Sequence, residues 1–243
     1  MASGAHHGMV RPMVKAPAPK KKKPAQKRIS PAERERVEVL FDRFESLELR
    51  PKTELNYANP YELVTAVALS AQATDVSVNK ATDKLFKVAN TPEKMLELGE
   101  AGLIPYIASI GLYRTKAKNV IATANILVNQ YGGQVPLTRE ALESLPGVGR
   151  KTASVVLNEL DIEPAIAVDT HVFRVSHRLK LSTGKTPDAV EQDLMRIVPP
   201  PYQTRAHHWL ILHGRYVCVA RRPKCEICKI SDLCPSRELF LGA

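Results

Sequence analysis

Residues 145–153 read Leu-Pro-Gly-Val-Gly-Arg-Lys-Thr-Ala and lie between two stretches of helical periodicity. Gly147 and Gly149 bracket one small apolar residue, Val148, and two such glycines permit a turn that directs consecutive backbone N–H groups outward. N–H groups gathered at the start of a helix bind a phosphate without needing a charged side chain. The string therefore predicts a tight hairpin between two helices, able to hold a phosphate.

Helix start signals recur on both sides of this hairpin. An N-cap residue directly precedes a proline at Ser30-Pro31, Asn59-Pro60, Thr91-Pro92 and Thr186-Pro187. After the first cap, Val37, Leu40, Phe41, Phe44 and Leu47 recur at helical spacing, and no segment alternates with period two. We therefore predict an all-α chain of about ten helices with short Gly/Pro connections.

Lys151 falls in the first turn of the helix that follows the hairpin. A cation there faces the positive end of the helix dipole, which costs about 0.3–1 kcal/mol. The alternative is an ordinary solvated lysine, since most lysines are exposed. The dipole and partial burial would both favour the neutral amine, which is a nucleophile. Lys151 is therefore a candidate nucleophile.

Asp169 directly precedes a predicted helix in the segment Ile166-Ala167-Val168-Asp169-Thr170-His171-Val172. Aspartate is a preferred N-cap, and a carboxylate held by backbone N–H groups can also stabilise a developing positive charge. Both roles are compatible. His171 is expected to contact phosphate or backbone, or to be an ordinary helix histidine, and we assign it no catalytic role.

All four cysteines, Cys218, Cys225, Cys228 and Cys234, lie in the last 26 residues as C-x6-C-x2-C-x5-C. Thiolates bind soft metals, so the run predicts a metal site. Two disulfides are disfavoured, because the sequence shows no secretory apolar stretch and thiols stay reduced inside cells. Zinc and iron–sulfur clusters both use four thiolates. One C-x2-C knuckle flanked by single cysteines favours a four-iron cluster over a two-knuckle zinc ribbon.

The positive charge is concentrated at the N-terminus. The formal net charge is +10, and the first 32 residues hold eight basic and no acidic side chains, which leaves +2 for the rest. Residues 1–29, rich in Pro, Ala and Lys, are expected to be disordered, either as a passive linker or as a basic arm that strengthens nucleic-acid binding. No apolar run is long enough to span a bilayer, so we expect a soluble protein without a membrane partner.

Six motifs together resemble one family, and they occur in that family's order. They are Leu69-Ser70-Ala71-Gln72-Ala73-Thr74-Asp75, Ile110-Gly111-Leu112-Tyr113, the hairpin string, Val168-Asp169-Thr170-His171-Val172, His208-Trp209-Leu210 and the cysteine run. From about residue 30 onward the chain resembles endonuclease III, a family of bacterial base-excision repair enzymes with a helix-hairpin-helix element. The resemblance implies a two-lobed all-α fold, with a six-helix domain at 53–163 and an iron–sulfur domain built from 30–52 with 164–243.

The resemblance also implies roles for individual residues. Lys151 would be the nucleophile and Asp169 the essential carboxylate, and the four cysteines would hold a [4Fe-4S] cluster. Gln72 would fill the gap left by an extruded nucleotide, and Leu112 would insert from the opposite side, unless it packs in the core. Further DNA contacts are expected at Ile110, Gly147, Val148, Gly149, Arg150, Thr152, His171, Arg221 and Arg222.

The implied activity is removal of oxidised pyrimidines from double-stranded DNA, with cleavage at abasic sites through a lysine Schiff base and β-elimination. A monomer in the bacterial cytoplasm, associated with the nucleoid, is expected. One rival is a monofunctional adenine-mismatch glycosylase, for which the resemblance predicts no lysine at position 151 and an added C-terminal domain. Another is a non-catalytic DNA-binding module with zinc, which would be colourless where an iron–sulfur protein is brown.

Overall fold

The structure, a computed structural model, describes residues 29–48 and 51–241 of the 243-residue chain. This part is all-α: it contains ten α-helices, three short 3₁₀ turns and no β-strand, so the predicted fold class is confirmed. The helices are α1 (Pro31–Leu47), α2 (Pro60–Ser70), α3 (Asp75–Leu85), α4 (Pro92–Ile107), α5 (Tyr113–Tyr131), α6 (Arg139–Glu143), α7 (Arg150–Glu159), α8 (Thr170–Arg178), α9 (Pro187–Ile197) and α10 (Gln203–Tyr216).

Two expectations concern the basic N-terminal segment and the possibility of a membrane-spanning helix. Residues 1–28, which hold the basic segment, lie outside the described residues, so its role stays a prediction. Within the described ranges, every helix is too short or too polar to cross a bilayer.

The four predicted caps begin the helices that the sequence assigned to them. The side chains of Ser30, Asn59, Thr91 and Thr186 each accept a hydrogen bond from a backbone N–H in the first turn of α1, α2, α4 and α9. A proline follows each cap at the start of the helix. A cap of this kind contributes about 1 kcal/mol, so these helix starts are encoded locally.

The first hydrophobic core lies among the six helices α2–α7. Its buried residues run from Leu55 to Leu157 along the chain and include Leu69, Leu103 and Leu127, all inaccessible to solvent. Burying one such leucine contributes about 1.5–3 kcal/mol. Helix α2 packs against α7, and its C-terminal end lies near the hairpin that precedes α7, since Leu69, Ala71 and Gly147 line one cavity.

The second core joins the two ends of the described chain. Helix α1 packs its buried residues Phe41 and Phe44 on Trp209 of α10, with ring centroids 6.2 and 6.4 Å apart. The Trp209 indole Nε1 donates to the backbone carbonyl of Glu48 at 2.8 Å. Helices α8 and α9 complete this core, and the cysteine segment packs on its edge.

Ion pairs link α10 to the first core. Arg215 contacts Glu54 and lies 2.6 Å from the Asp75 carboxylate at the start of α3. His208 Nε2 lies 3.1 Å from Glu159 Oε2 of α7, and both side chains are buried. Although burial opposes it, hydrogen bonds from His208 and Tyr57 hold the pKa of Glu159 below its ordinary value. These contacts fix the two cores against each other beside an open cleft.

Candidate active site

A cleft of about 440 Å³ opens where the two cores meet. The loop after α2, the first turn of α7, the start of α8 and one face of α10 form its walls. Among its lining residues are Gln72, Lys151, Thr152, Asp169, Thr170, His171, His207 and Arg215. The cleft therefore brings together both residues for which the sequence suggested a chemical role, Lys151 and Asp169.

Lys151 stands in the first turn of α7, on the wall of the cleft. The buried residues Ala153, Val156 and Leu157 fix the direction of the helix. Lys151 itself is exposed, and so is Arg150 before it, because the hairpin projects this turn away from the core. The expected partial burial of Lys151 is therefore wrong. The structure therefore shows Lys151 as an accessible amine at the positive end of α7, whose first turn carries no acidic residue.

Asp169 is the N-cap of α8, as predicted. Its Oδ1 accepts hydrogen bonds from the backbone N–H groups of His171 at 2.9 Å and Val172 at 2.8 Å. Val172 and Val175 are buried in the second core and anchor the helix. The carboxylate is thus oriented by the backbone itself. His171 contacts its own helix, with Nδ1 3.2 Å from Arg174 Nη2.

His207 forms part of the cleft and was not predicted. It is buried, and its Nδ1 donates to the carbonyl of Ala167 at 2.9 Å. Burial lowers the pKa of His207 to about 3, with smaller contributions from its neighbours His208 and Lys151. The ring is therefore neutral at physiological pH. Two adjacent histidines in a helical stretch gave no indication of which ring would face the cleft.

The hairpin before α7 has the predicted tight geometry. Gly147 adopts φ +79°, and a Cβ there would approach the Asn119 side chain to 2.8 Å. Val148 is buried, and its N–H donates to the carbonyl of Leu145 at 3.0 Å. The side chain of Val148 anchors the hairpin in the first core, and the DNA contact expected at this residue stays a prediction. Gly149 caps α7 without a side chain, so the N–H groups of the first turn face outward.

Arg150 begins α7 and points partly away from the hairpin. Its Nε donates to Glu191 Oε2 of α9 at 3.0 Å, and this bond raises the pKa of Arg150. The guanidinium nevertheless belongs to an exposed residue. An anion bound at the hairpin would therefore compete with Glu191 for the Arg150 guanidinium.

Gln72 and Leu112 occupy two exposed tips beside the cleft. Both have left-handed backbones, with φ of 58° and 59°. Leu112 is 63% exposed, so the alternative in which it packs in the core is wrong. Ile110 is 2% exposed and lies in the first core. The side chain of Ile110 is therefore buried two residues before the exposed Leu112, and the DNA contact expected at Ile110 stays a prediction.

The four cysteines line one small apolar cavity at the edge of the second core. All four are free thiols in this structure, without a disulfide between them. Burial raises the pKa of the Cys228 and Cys234 thiols, and a bound metal would reverse that cost by stabilising the thiolates. Four thiols around a single cavity are the donor set that a [4Fe-4S] cluster requires.

Arg178 holds the cysteine segment in place, and two further arginines of that segment are exposed. Arg178 of α8 donates from Nη1 to Cys218 Sγ at 3.3 Å and to the Val219 carbonyl at 2.7 Å, and from Nη2 to the Ala220 carbonyl at 2.9 Å. Its guanidinium also stacks on Phe240, 4.4 Å from the ring centre. Arg221 and Arg222, in the same segment, are exposed and carry their charge outward.

Two family models match the chain. The HhH-GPD superfamily of base excision DNA repair proteins matches residues 65–200, which include the hairpin, Lys151 and Asp169. The iron–sulfur binding domain of endonuclease III matches residues 218–234, from the first cysteine to the last. The cofactor of this chain is accordingly an iron–sulfur cluster, as the cysteine spacing indicated.

Individual proteins agree with the family models. Endonuclease III of Escherichia coli (strain K12) is 56% identical over 203 residues, which are 84% of this chain and 96% of that protein. A non-covalent endonuclease III–DNA complex matches with a TM-score of 0.80 at 40% identity, over 86% of this chain and 99% of the other. A trapped endonuclease III–DNA covalent intermediate matches with a TM-score of 0.79 at 41% identity, over 86% and 98%. The chain therefore belongs to the endonuclease III family of base excision repair DNA glycosylases.

Proposed function

We propose that this protein is a bifunctional enzyme that removes oxidised pyrimidines from duplex DNA and cleaves the strand at the resulting abasic site. The observation that carries the proposal is that Lys151 and Asp169, from two different helix starts, share one cleft. The similar structure of a trapped covalent endonuclease III–DNA intermediate supports an enzyme that bonds to its substrate.

In this proposal the duplex lies across the cleft between the two cores. The outward N–H groups after Gly149 bind a phosphate, with Arg150 and Thr152 beside them. Gln72 and Leu112 enter the base stack, and Arg221 and Arg222 contact the backbone further along. Extruding a nucleotide costs a few kcal/mol, and less for a damaged base that stacks poorly.

The chemistry that we propose begins at the Lys151 Nζ atom. The lone pair of the neutral amine forms a bond to C1′ of the extruded nucleotide and the C1′–N bond to the base breaks. The base leaves with the electron pair of that bond and takes up the proton that Nζ loses. The positive charge that develops on the sugar is stabilised by the Asp169 carboxylate, which two backbone N–H groups hold in place.

The sugar ring then opens to an imine between Nζ and C1′. The imine acidifies the C2′ protons, so loss of one of them expels the 3′ phosphate and nicks the strand. Water hydrolyses the imine and returns the free amine. Each of these steps uses an accessible lysine, and the exposure of Lys151 meets that requirement.

We further propose that the two cores are the two domains, at residues 53–163 and at 30–52 with 164–243. The enzyme would act as a monomer in the bacterial cytoplasm, associated with the nucleoid. Cys218, Cys225, Cys228 and Cys234 would hold the cluster. When bound, the cluster would cross-link this segment and present Arg221 and Arg222, and it would take no part in bond cleavage.

Replacing Cys228 by serine is expected to remove most of the bound iron and to lower the melting temperature of the second core. Three thiolates leave one iron open to water, and the cysteine segment has little apolar surface of its own. Iron and sulfide analysis of the purified variant, with thermal unfolding, measures both effects. Wild-type protein that contains zinc without iron or sulfide would contradict the cluster assignment.

Duplexes that each carry one defined lesion test the proposed activity. The wild-type enzyme is expected to incise those with an oxidised pyrimidine or an abasic site, and to form a covalent adduct when borohydride is added during the reaction. Undamaged duplex of the same sequence serves as the control. Release of bases without any adduct would favour a monofunctional glycosylase instead.

A further inference from the structure

Lys116 joins the two tips that carry Gln72 and Leu112. It lies on α5, one turn after Leu112, and only 8% of its surface is exposed. Its ammonium donates to the carbonyls of Leu69 at 2.9 Å and Ala71 at 2.7 Å, on the segment that leads to Gln72. Its backbone N–H donates to the carbonyl of Leu112 at 3.0 Å. That backbone bond is the i→i−4 bond of the first turn of α5, so the buried ammonium holds the Gln72 segment to the helix start that Leu112 caps.

The position of the ammonium has an electrostatic reason. The carbonyls of Leu69 and Ala71 lie at the C-terminal end of α2, where backbone acceptors lack partners within the helix and the dipole is negative. Helix α2 has no basic residue in its own last turn. Lys116 supplies that charge from α5, although burial lowers the pKa of its amine.

Both tips are strained and close together. A left-handed backbone is unfavourable for a non-glycine residue, and it persists only where the surroundings impose it. A Cβ at Gly111 would lie 4.0 Å from the carbonyl oxygen of Gln72, so the two segments nearly touch. A cavity of about 170 Å³ separates the tips, and Gln72, Leu112 and Lys116 all line it.

We propose that Lys116 is a positioning residue that holds Gln72 and Leu112 in a fixed mutual arrangement, so that both enter the duplex together. The inference rests on the proposed function, in which these two side chains fill the space of the extruded nucleotide. Lys116 is buried and does not itself reach DNA. Its role is to couple the tips, so that one cannot shift without the other.

Replacing Lys116 by methionine removes the ammonium and keeps much of the length of the side chain. Incision of a duplex with an oxidised pyrimidine is expected to fall about 10- to 100-fold, since a displacement near 1 Å can cost that much. Borohydride trapping on a single-stranded abasic oligonucleotide is expected to stay at the wild-type level, because that substrate has no opposite strand to separate. The ratio of the two activities is the measurement.

Matched variants distinguish positioning from a general structural role. Lys118→Met changes an exposed lysine on the same helix and should leave both activities unchanged. Lys116→Arg retains donors for the two carbonyls and should restore part of the duplex activity. Combined with Gln72→Ala, the Lys116→Met change should cause little further loss on duplex, because the ammonium of Lys116 acts through the segment that carries Gln72.

Several outcomes would contradict the positioning role of Lys116 or the chemistry on which it rests. A parallel loss on both substrates, or an additive loss in the double variant, would overturn the positioning role. If Lys116→Met melts below the assay temperature, Lys116→Gln repeats the comparison, since its amide can still donate to one carbonyl. Wild-type protein that forms no adduct on either substrate would refute the proposed chemistry itself, before any variant is made.

Discussion

The Lys151→Gln variant is expected to form no covalent adduct with DNA under borohydride and to lose strand cleavage entirely. The glutamine amide has no lone pair basic enough to attack C1′, so no imine can form. Binding to an abasic duplex should persist, because the backbone N–H groups after Gly149 do not depend on the side chain at position 151. Trapping followed by gel electrophoresis, alongside a binding titration, measures both.

A matched control is Lys84→Gln, which changes an exposed lysine in the last turn of α3. It should trap as the wild type does. An adduct that persists at the wild-type level in Lys151→Gln would move the nucleophile to another amine. Loss of binding together with loss of trapping would instead mean that Lys151 serves mainly to hold phosphate.

Replacing Asp169 by asparagine is expected to slow turnover by about 100-fold or more, the usual effect of removing one preorganised electrostatic partner. Folding should be nearly unaffected, because asparagine caps a helix about as well as aspartate. The variant should therefore melt close to the wild-type temperature while its single-turnover rate falls. The two measurements separate the charge of Asp169 from its hydrogen bonds to α8.

Asp188→Asn is the control for this second experiment. Asp188 is an exposed acid in the first turn of α9, so the variant removes one carboxylate from another helix start. Its turnover should match that of the wild type. A turnover rate for Asp169→Asn within a few-fold of the wild-type rate would mean that Asp169 serves only as the N-cap of α8.

Helix starts and the Asp169 cap were predictable because they depend on neighbours in sequence. A Ser, Thr, Asn or Asp side chain reaches backbone N–H groups only two or three residues away, so the pattern contains the whole interaction. The Asp169 cap and the proline-marked starts such as Asn59-Pro60 were found for this reason. The turn at Gly147 was predictable for the same reason, because it depends on the glycines of one short segment.

Burial within a motif was less predictable. Ile110 and Leu112 are two residues apart in one motif, yet one is buried in the first core and the other is 63% exposed. Val148 likewise points into the core between two exposed glycines. A resemblance assigns a motif to a surface, but which side chains face outward depends on how the loop meets the helices beneath it.

Residues contributed by distant segments were missed. Arg215 and His207 reach the cleft from α10, and nothing in their local sequence indicates what α10 packs against. Lys116 did leave a signal, since it is four residues before Val120 and thus on the apolar face of α5. A lysine on such a face indicates a buried partner, although its carbonyl acceptors are 45 and 47 residues away.

The second core determines the order in which the chain can fold during synthesis. Helix α1 emerges from the ribosome first, but Trp209, whose indole bonds to Glu48, follows 161 residues later. At about 5–20 residues per second this delay is roughly 8–30 s. Throughout that time Phe41 and Phe44 lack Trp209, although residues of α8 and α9 in the same core are synthesised earlier.

The first core has no such delay, because its residues run continuously from Leu55 to Leu157. The first core can fold while the rest of the chain is still being translated, whereas α1 can complete its packing only when the last helices of the second core have been synthesised. A cluster held by all four thiolates can be complete only after Cys234 has left the ribosome, and Cys234 follows all ten described helices. The helices of the second core can therefore begin to pack on one another before the cluster is loaded, because α1 contacts Trp209 of α10 rather than the cysteines.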